Sequence, residues 1–326
     1  MTTGSGIDGQ VGLVTETVYG TAVTVTRFHE VTGATIQPET VVVAPKLVGR
    51  GLFRRSDRRK TVVVGGNGKF TTLLLSKGCG VLLKHMIGSV VTAQVGSTDE
   101  YTHTFTPDTA SGMRGLSATV QVGLPFVGGT VQAMTGTGGK INAWKVTAAV
   151  NDAVMIETEW LFRTIATDIT LATESYPTSA EMLTFDQITF TVDGDAQEVS
   201  SVELSATNAL ADGRRYLGAP LRAEPLANDE WEYGGKFTIE WSSLDTYNAW
   251  ISGTAGTLVM TATGGTIPEE TNPFKSVITI KDVFFTGEVP ELSGPDILSH
   301  DVPFEAASNG TDPVFKWVYH TTDTTP

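Results

Sequence analysis

The sequence predicts a mostly β chain built as two tandem β-sandwich or barrel modules, each with one short flanking α-helix. Three observations carry that expectation. Glycine is abundant, 35 of 326 residues, and Thr and Val are plentiful. That mixture favours pleated strands and tight turns over helices. Runs of β-branched or alternating apolar residues, bounded by turn residues, recur along the whole chain. The tetrapeptide Gly68-Lys69-Phe70-Thr71 returns as Gly235-Lys236-Phe237-Thr238 and brings its surroundings with it.

In chain order, residues 22–31 and 60–75 are rich in β-branched side chains and read as strands. Residues 115–123 alternate, with Leu116, Ala118, Val120 and Val122 facing one way. The glycine-rich Gly136-Thr137-Gly138-Gly139 reads as a hairpin turn. Residues 140–150 and 153–162 read as a hairpin turning at Asn151-Asp152. In the second half, 183–192 and 198–205 flank Asp193-Gly194-Asp195, and Asp-Gly between alternating runs is a strong hairpin signal. Residues 236–241, 258–263, 277–285 and 314–319 complete the strands.

Two segments read as helices. The first starts at Ser76 as N-cap and carries Val81, Leu82, His85 and Met86 before Gly88. The second starts at Ser243 and carries Leu244, Tyr247, Trp250 and Ile251 before Gly253. Each has a single apolar stripe at helical spacing.

The repeat extends beyond the tetrapeptide. Upstream of each copy lies an arginine-bearing loop, Leu47-Val48-Gly49-Arg50-Gly51-Leu52-Phe53-Arg54 against Leu217-Gly218-Ala219-Pro220-Leu221-Arg222. Downstream, Glu159-Trp160-Leu161-Phe162 resembles Lys316-Trp317-Val318-Tyr319. Three matches in one order divide the chain into modules 1–165 and 166–326, with 164–179 as the linker. The loops 268–273 and 288–301 are rich in Pro, Gly and acid, as loops that contact partners are. A duplicated module can pack head to tail, and such contacts make rings or filaments.

Charge divides unevenly. Residues 1–165 carry 15 Lys and Arg against 11 Asp and Glu, a net +4. Residues 166–326 carry 7 against 25, a net −18. A basic half joined to an acidic one is complementary to the next copy of itself, which sets register and partner choice. The alternative is drift on two solvated surfaces.

Little points to chemistry. The five histidines are scattered, none at ligand spacing from another or near Cys79, so no zinc site is expected. Cys79 is alone and reads as a small core residue. The stretch ending in Lys140 fails the phosphate-loop pattern, because Met134 stands at the first glycine position and Ile141 where Ser or Thr must hold magnesium. Asp193, Asp195 and Glu198 lack calcium-loop spacing. No nucleophile elbow is present. No cofactor and no metal are expected, and no enzyme is suggested. No apolar run approaches the length of a membrane span, and no secretory signal is visible at the start.

The most specific local signal is a basic loop at 46–60. Lys46, Arg50, Arg54, Arg55, Arg58, Arg59 and Lys60 supply seven of the 22 basic residues, with Leu52 and Phe53 among them. Arginine beside exposed apolar residues is typical of interface anchors. The expected assembly interface is therefore Arg50, Leu52, Phe53, Arg54, Arg55, Arg58, Arg59 and Lys60, docking onto an acidic neighbour. A nucleic-acid patch competes with that reading, though a pI near 4.7 weighs against it, and a solvated loop is the plain alternative.

The opening Gly9-Gln10-Val11-Gly12-Leu13-Val14-Thr15-Glu16-Thr17-Val18-Tyr19-Gly20, continuing through Phe28, resembles the start of tail tube (major tail) proteins of long-tailed bacteriophages. The basic loop, the Gly-Lys-Phe strand, the helix ending at Gly88, Thr102-His103-Thr104-Phe105, Ser201-Val202-Glu203-Leu204-Ser205 and Leu217-Gly218 continue the likeness. The resemblance implies a β-sandwich with a flanking helix, assembled into rings that stack into the tube through which DNA leaves the virion. A duplicated chain would close that ring as a trimer with pseudo-sixfold symmetry, a hexamer being the alternative. The basic loop would be the arm reaching a neighbouring subunit or ring. Tape measure and tail terminator proteins are further implied partners. The implied location is the virion tail, after synthesis in the host cytoplasm, with no membrane. DNA would pass an acidic lumen without specific binding.

The competing function is a glycan- or host-binding β-sandwich of a virion. It requires clustered exposed aromatics. Trp231, Tyr233, Trp241, Tyr247 and Trp250 are close in sequence, but their spacing places several in a core.

Overall fold

A computed structural model describes residues 5–49, 52–268, 270, 272–287, 289, 290, 292, 294, 295 and 297–326. The first half forms β1 (Gln10–Thr15), β2 (Arg27–His29), β3 (Val31–Val43), β4 (Lys60–Leu73), α1 (Gly80–Ile87), β5 (Gly88–Gln94), β6 (Tyr101–Pro107), β7 (Ala118–Pro125), β8 (Val131–Ala149), β9 (Met155–Phe162) and β10 (Thr164–Ala166). The second half forms β11 (Ile188–Val192), β12 (Asp195–Ala196), β13 (Val199–Thr207), β14 (Glu232–Glu240), α2 (Asp245–Ser252), β15 (Gly256–Thr266), β16 (Pro273–Phe285), β17 (Ser299–Ala306) and β18 (Phe315–Thr321). The chain is mostly β, and every pairing between named strands is antiparallel. No helix among the described residues is long and apolar enough to cross a membrane.

The pairings within the two halves recur. β1 lies beside β2 and β7, β7 beside β8, β8 beside β9 and β10, β9 beside β4, and β4 beside β3. In the second half β11 lies beside β12 and β15, β15 beside β16, β16 beside β17 and β18, β17 beside β14, and β14 beside β13. Register agrees as well. Gly68, Lys69 and Phe70 lie opposite Ile36, Thr35 and Ala34 on one side and Trp160, Glu159 and Thr158 on the other. Gly235, Lys236 and Phe237 lie opposite Leu204, Glu203 and Val202, and opposite Phe304, Pro303 and Val302. Trp160 therefore matches Phe304 in position. The likeness of 159–162 to 316–319 falls on strands with different neighbours, because β18 pairs with β16 as β10 pairs with β8.

Two pairings join the halves. The outer part of β8 lies beside β13, from Ala143 opposite Thr207 to Ala149 opposite Ser201. The β5–β6 hairpin, which has no counterpart in the second half, lies beside β18. β3, β4, β9, β8, β13, β14 and β17 thus form one continuous sheet across both halves. Side chains alternate between its faces. Phe70, Ile156, Trp160, Val146, Val202, Leu204, Phe237, Val302 and Phe304 point into the core, which is one connected cluster of buried residues from both halves. Trp144 seals the joint. Its ring packs edge-on against Phe315 at 5.3 Å and Tyr233 at 6.2 Å, and its indole N–H donates to the carbonyl of Met86.

Several local expectations need correction. Residues 136–139 are not a hairpin tip but lie inside β8, at the point where it passes from one set of neighbours to the other. Gly136 and Gly139 are needed there because the Phe162 ring rests on the backbone, where a Cβ on Gly136 would meet that ring at 2.6 Å, and Gly138, at a φ of 63°, lies against Arg163 and Tyr19. The Asp193-Gly194 turn is tight, with φ of 52° and 93°, but it returns only the short β12. β13 then leaves to pair with β14 and β8, so the runs flanking the turn do not pair with each other. Ser76 does not cap α1. Its hydroxyl accepts from the Glu181 N–H, and the helix begins at Gly80. Ser243 does accept from the first N–H of α2, but Leu244 and Ile251 of the expected buried stripe are exposed. Residues 22–26 form no strand.

Candidate assembly surfaces

In the loop joining β3 to β4, residues 45–49 and 52–59 are all exposed. Leu52 is 99% exposed and Phe53 88%. Arg54, Arg55, Arg58, Arg59 and Lys60 are all exposed, and Arg50 lies outside the described residues. Asp57 organises the tip, accepting from Arg55 at 2.7 Å and lying 3.4 Å from Arg58. Arg59 donates to the Thr61 hydroxyl, and Lys60 opens β4. The side-chain bonds these residues make are short-range, within the loop or to the start of β4, so the structure leaves the predicted anchors together but uncommitted.

The matching loop of the second half, residues 208–231 between β13 and β14, is instead folded onto the first half. Arg222 is 1% exposed. Its guanidinium donates to the carbonyls of Gly66 and Phe162, each at 2.8 Å, to Glu39 Oε2 at 2.7 Å and to Asp212 O at 3.1 Å. Burial pulls the Arg222 pKa down, and Glu39 opposes that pull. Arg215 also donates to Glu39, at 2.9 Å. Further along, the buried Lys140 ammonium donates to Glu224 at 2.6 Å and to the carbonyls of Met113 and Pro225. Asn208 donates to the carbonyls of Ile141 and Met86. Sequence reasoning placed Arg222 in an arm-like loop, but it missed Glu39, Lys140 and Glu224, whose partners lie far away along the chain.

The face of the seven-stranded sheet turned away from the core is polar. One row runs Thr71, Glu157, Lys145, Ser205, Gly234, Glu305 across six strands. Neighbouring rows add Lys69 and Glu159, Glu203 and Lys236, and Thr238 and Asp301. Each lysine of this face has a carboxylate on a neighbouring strand: Lys69 to Glu157 at 2.8 Å, Lys145 to Glu203 at 3.5 Å, Lys236 to Asp301 at 2.5 Å. The first and last of these pairs occupy matching positions of the two halves. Such exposed pairs contribute about 0–1 kcal/mol each to stability. Their effect here is on potential: the cations are neutralised and the carboxylates are in surplus.

The outer edge of β3 is unpaired among the described residues, and Val41, Val42 and Val43 on it are exposed. Unpaired β-branched edges are what natural proteins cover. The equivalent edge of β13 is covered by β8.

Other candidates carry less. A cleft of about 780 Å³ beside α2 is rimmed by Asp193, Asp195, Glu198, Glu240 and Asp245. Among the described residues, no group of three or more His, Cys, Asp or Glu is placed to hold a metal. Cys79 is buried, and its thiol is pushed up to about 11 by desolvation. Of the clustered aromatics, Tyr233 is in the core, Trp241 packs edge-on to His300, and Tyr247 packs against Trp250. They form no exposed platform.

The family model described as phage tail tube protein matches residues 6–306. No curated protein matches the chain.

Proposed function

The chain belongs to the phage tail tube protein family and is a structural subunit of the tail, and on that premise we propose how it builds the tube and what the tube wall is. The family implies self-assembly into a stacked tube. The recurrence of the within-half pairings in order and register supports reading the chain as two tandem tube modules, with the second beginning after β10. Three such chains supply six modules, so a ring of three with pseudo-sixfold symmetry is the expected assembly.

The observation that carries this reading is the continuous sheet across both halves. It already joins two modules edge to edge through β8 and β13. Repeating that joint between chains closes a ring with no free edge. The polar face of the sheet is the proposed lumen wall. Its lysines are held by carboxylates, so it offers phosphates no counterion-release affinity. DNA slides past such a wall without sticking. The exposed arm 44–59 is the proposed contact with a neighbouring copy. No catalytic step is needed, tape measure and tail terminator proteins are the further partners, and synthesis takes place in the host cytoplasm.

Electron microscopy of assembled protein tests this. Threefold rings with a pseudo-sixfold outline are expected. True sixfold rings would retain the tube and overturn the two-module ring. Monodisperse monomers at high concentration, with an assembly initiator present, would overturn both.

A further inference from the structure

The two arms of the chain are in opposite states. One, 208–231, is docked on the first half of its own chain. The other, 44–59, is docked on nothing among the described residues. We infer that the docked arm is the internal template for the free one: arm 44–59 of one copy docks on a second copy at the end of the β14–β17 strand pair. The inference rests on the tube reading and names the acceptor that reading leaves open.

The mapping comes from register. Arg222 sits at the end of the β4–β9 pair, where its guanidinium takes the carbonyls of Gly66 and Phe162. Gly66 lies opposite Phe162, two residues before Gly68 opposite Trp160. The matching point of the second half is two residues before Gly235, at Tyr233, just past the last pair of the β14–β17 ladder, Gly234 opposite Glu305. On the polar face beside that point, the row Gln37, Asn67, Leu161 corresponds to Ser205, Gly234, Glu305. The next row, Glu39 with Gly65, corresponds to Thr207 with Glu232.

Chemistry fits the mapping. In the docked case the arm's arginines are received by Glu39. In the second half an acid stands in the same row on the neighbouring strand, Glu232, and a second, Glu305, replaces Leu161 in the row beside it. Both are exposed and neither forms an ion pair with a described residue. The free arm carries more arginine than the docked one, with Arg54, Arg55, Arg58 and Arg59, against an acceptor with more acid. Leu52 and Phe53 supply apolar surface that is otherwise left in water. A charged pair at such a contact fixes partner and register.

The test is a charge exchange in the full chain. Glu232→Arg with Glu305→Arg, and separately Arg54→Glu with Arg55→Glu, are each expected to lower the sedimentable polymer by about tenfold or more while the monomer melts as the parent does. The four changes together are expected to recover most of it. Normal polymer from the Glu232→Arg, Glu305→Arg variant overturns the acceptor, as does loss of polymer in both pairs without recovery in the combination. Glu232→Gln with Glu305→Gln serves if the reversals do not fold, with the same reading. Parent polymer of true sixfold symmetry would sink the two-module ring instead, independently of these variants.

Discussion

Arg222 offers the sharpest test of how the halves are held. Arg222→Met keeps the aliphatic stem and removes the guanidinium. The carbonyls of Gly66 and Phe162 then lose their donor, and Glu39 keeps only Arg215. Removing one partner of a buried ion pair costs about 3–5 kcal/mol. The lower end applies, because burial already disfavours the Arg222 charge and the substitution relieves that desolvation. With an unfolding entropy near 2.1 cal/mol/K per residue over 326 residues, a loss of about 3 kcal/mol lowers Tm by about 4 °C. Thermal unfolding of the monomer measures the shift, and limited proteolysis follows cleavage within 208–231, which should accelerate. Arg58→Met, on the exposed arm, should do neither. A Tm within about 1 °C of the parent, with the arm no easier to cleave, would refute the clamp.

Trp144→Ala should destabilise by about 3–5 kcal/mol, because the ring that joins the two halves is replaced by a void; denaturant unfolding measures it. Glu16 accepts from the N–H groups of Gly20 and Gly138 and from the hydroxyls of Ser117 and Thr119, all buried or nearly so, and Glu16→Leu should cost at least about 3 kcal/mol by orphaning four donors. Burial lowers the pKa of His85 to about 3 and of His29 to about 4. The unfolded chain therefore binds these protons first. Stability should be full above pH 6.5 and fall by about 1.4 kcal/mol per pH unit per histidine as pH drops below it. Tm measured from pH 7 to pH 4.5 checks this, and a double His29→Phe, His85→Gln variant should show a flatter profile.

The strand-rich class and both helix positions were legible because glycine stops, alternation and β-branching are local signals. The hairpin at Asn151-Asp152 was legible for the same reason, with Asn151 at a φ of 66°. The partner of β13 was not. Its own pattern shows one buried face, but nothing in it says that β8 lies beside it. β8 reads as two pieces because Gly136, Gly138 and Gly139 interrupt it, and only distant partners explain them: the Phe162 ring over Gly136 and Gly139, and Arg163 and Tyr19 over Gly138. The basic arm was visible as a charge cluster. Its docked relative was not recognisable as docked, since Glu39 lies 183 positions from Arg222. Long-range electrostatic partners leave no periodic trace. The start of β17, residues 299–301, was hidden in a stretch whose Pro, Gly and acids read as loop.

The hairpin of β5 and β6 has a consequence for synthesis. His103 on β6 bonds the carbonyl of Asp323, 220 positions further on, and β18, the strand that covers β6, is made long after it. At about 5–20 residues per second, a ribosome leaves the β6 edge bare for roughly 10–40 s. Through that interval the nascent chain shows an open strand to every sibling on the same message. A chain of a family that assembles with its own kind is thus exposed to premature association while it is still unfinished. Holding that edge until β18 arrives is a task for a chaperone or for the speed of translation itself.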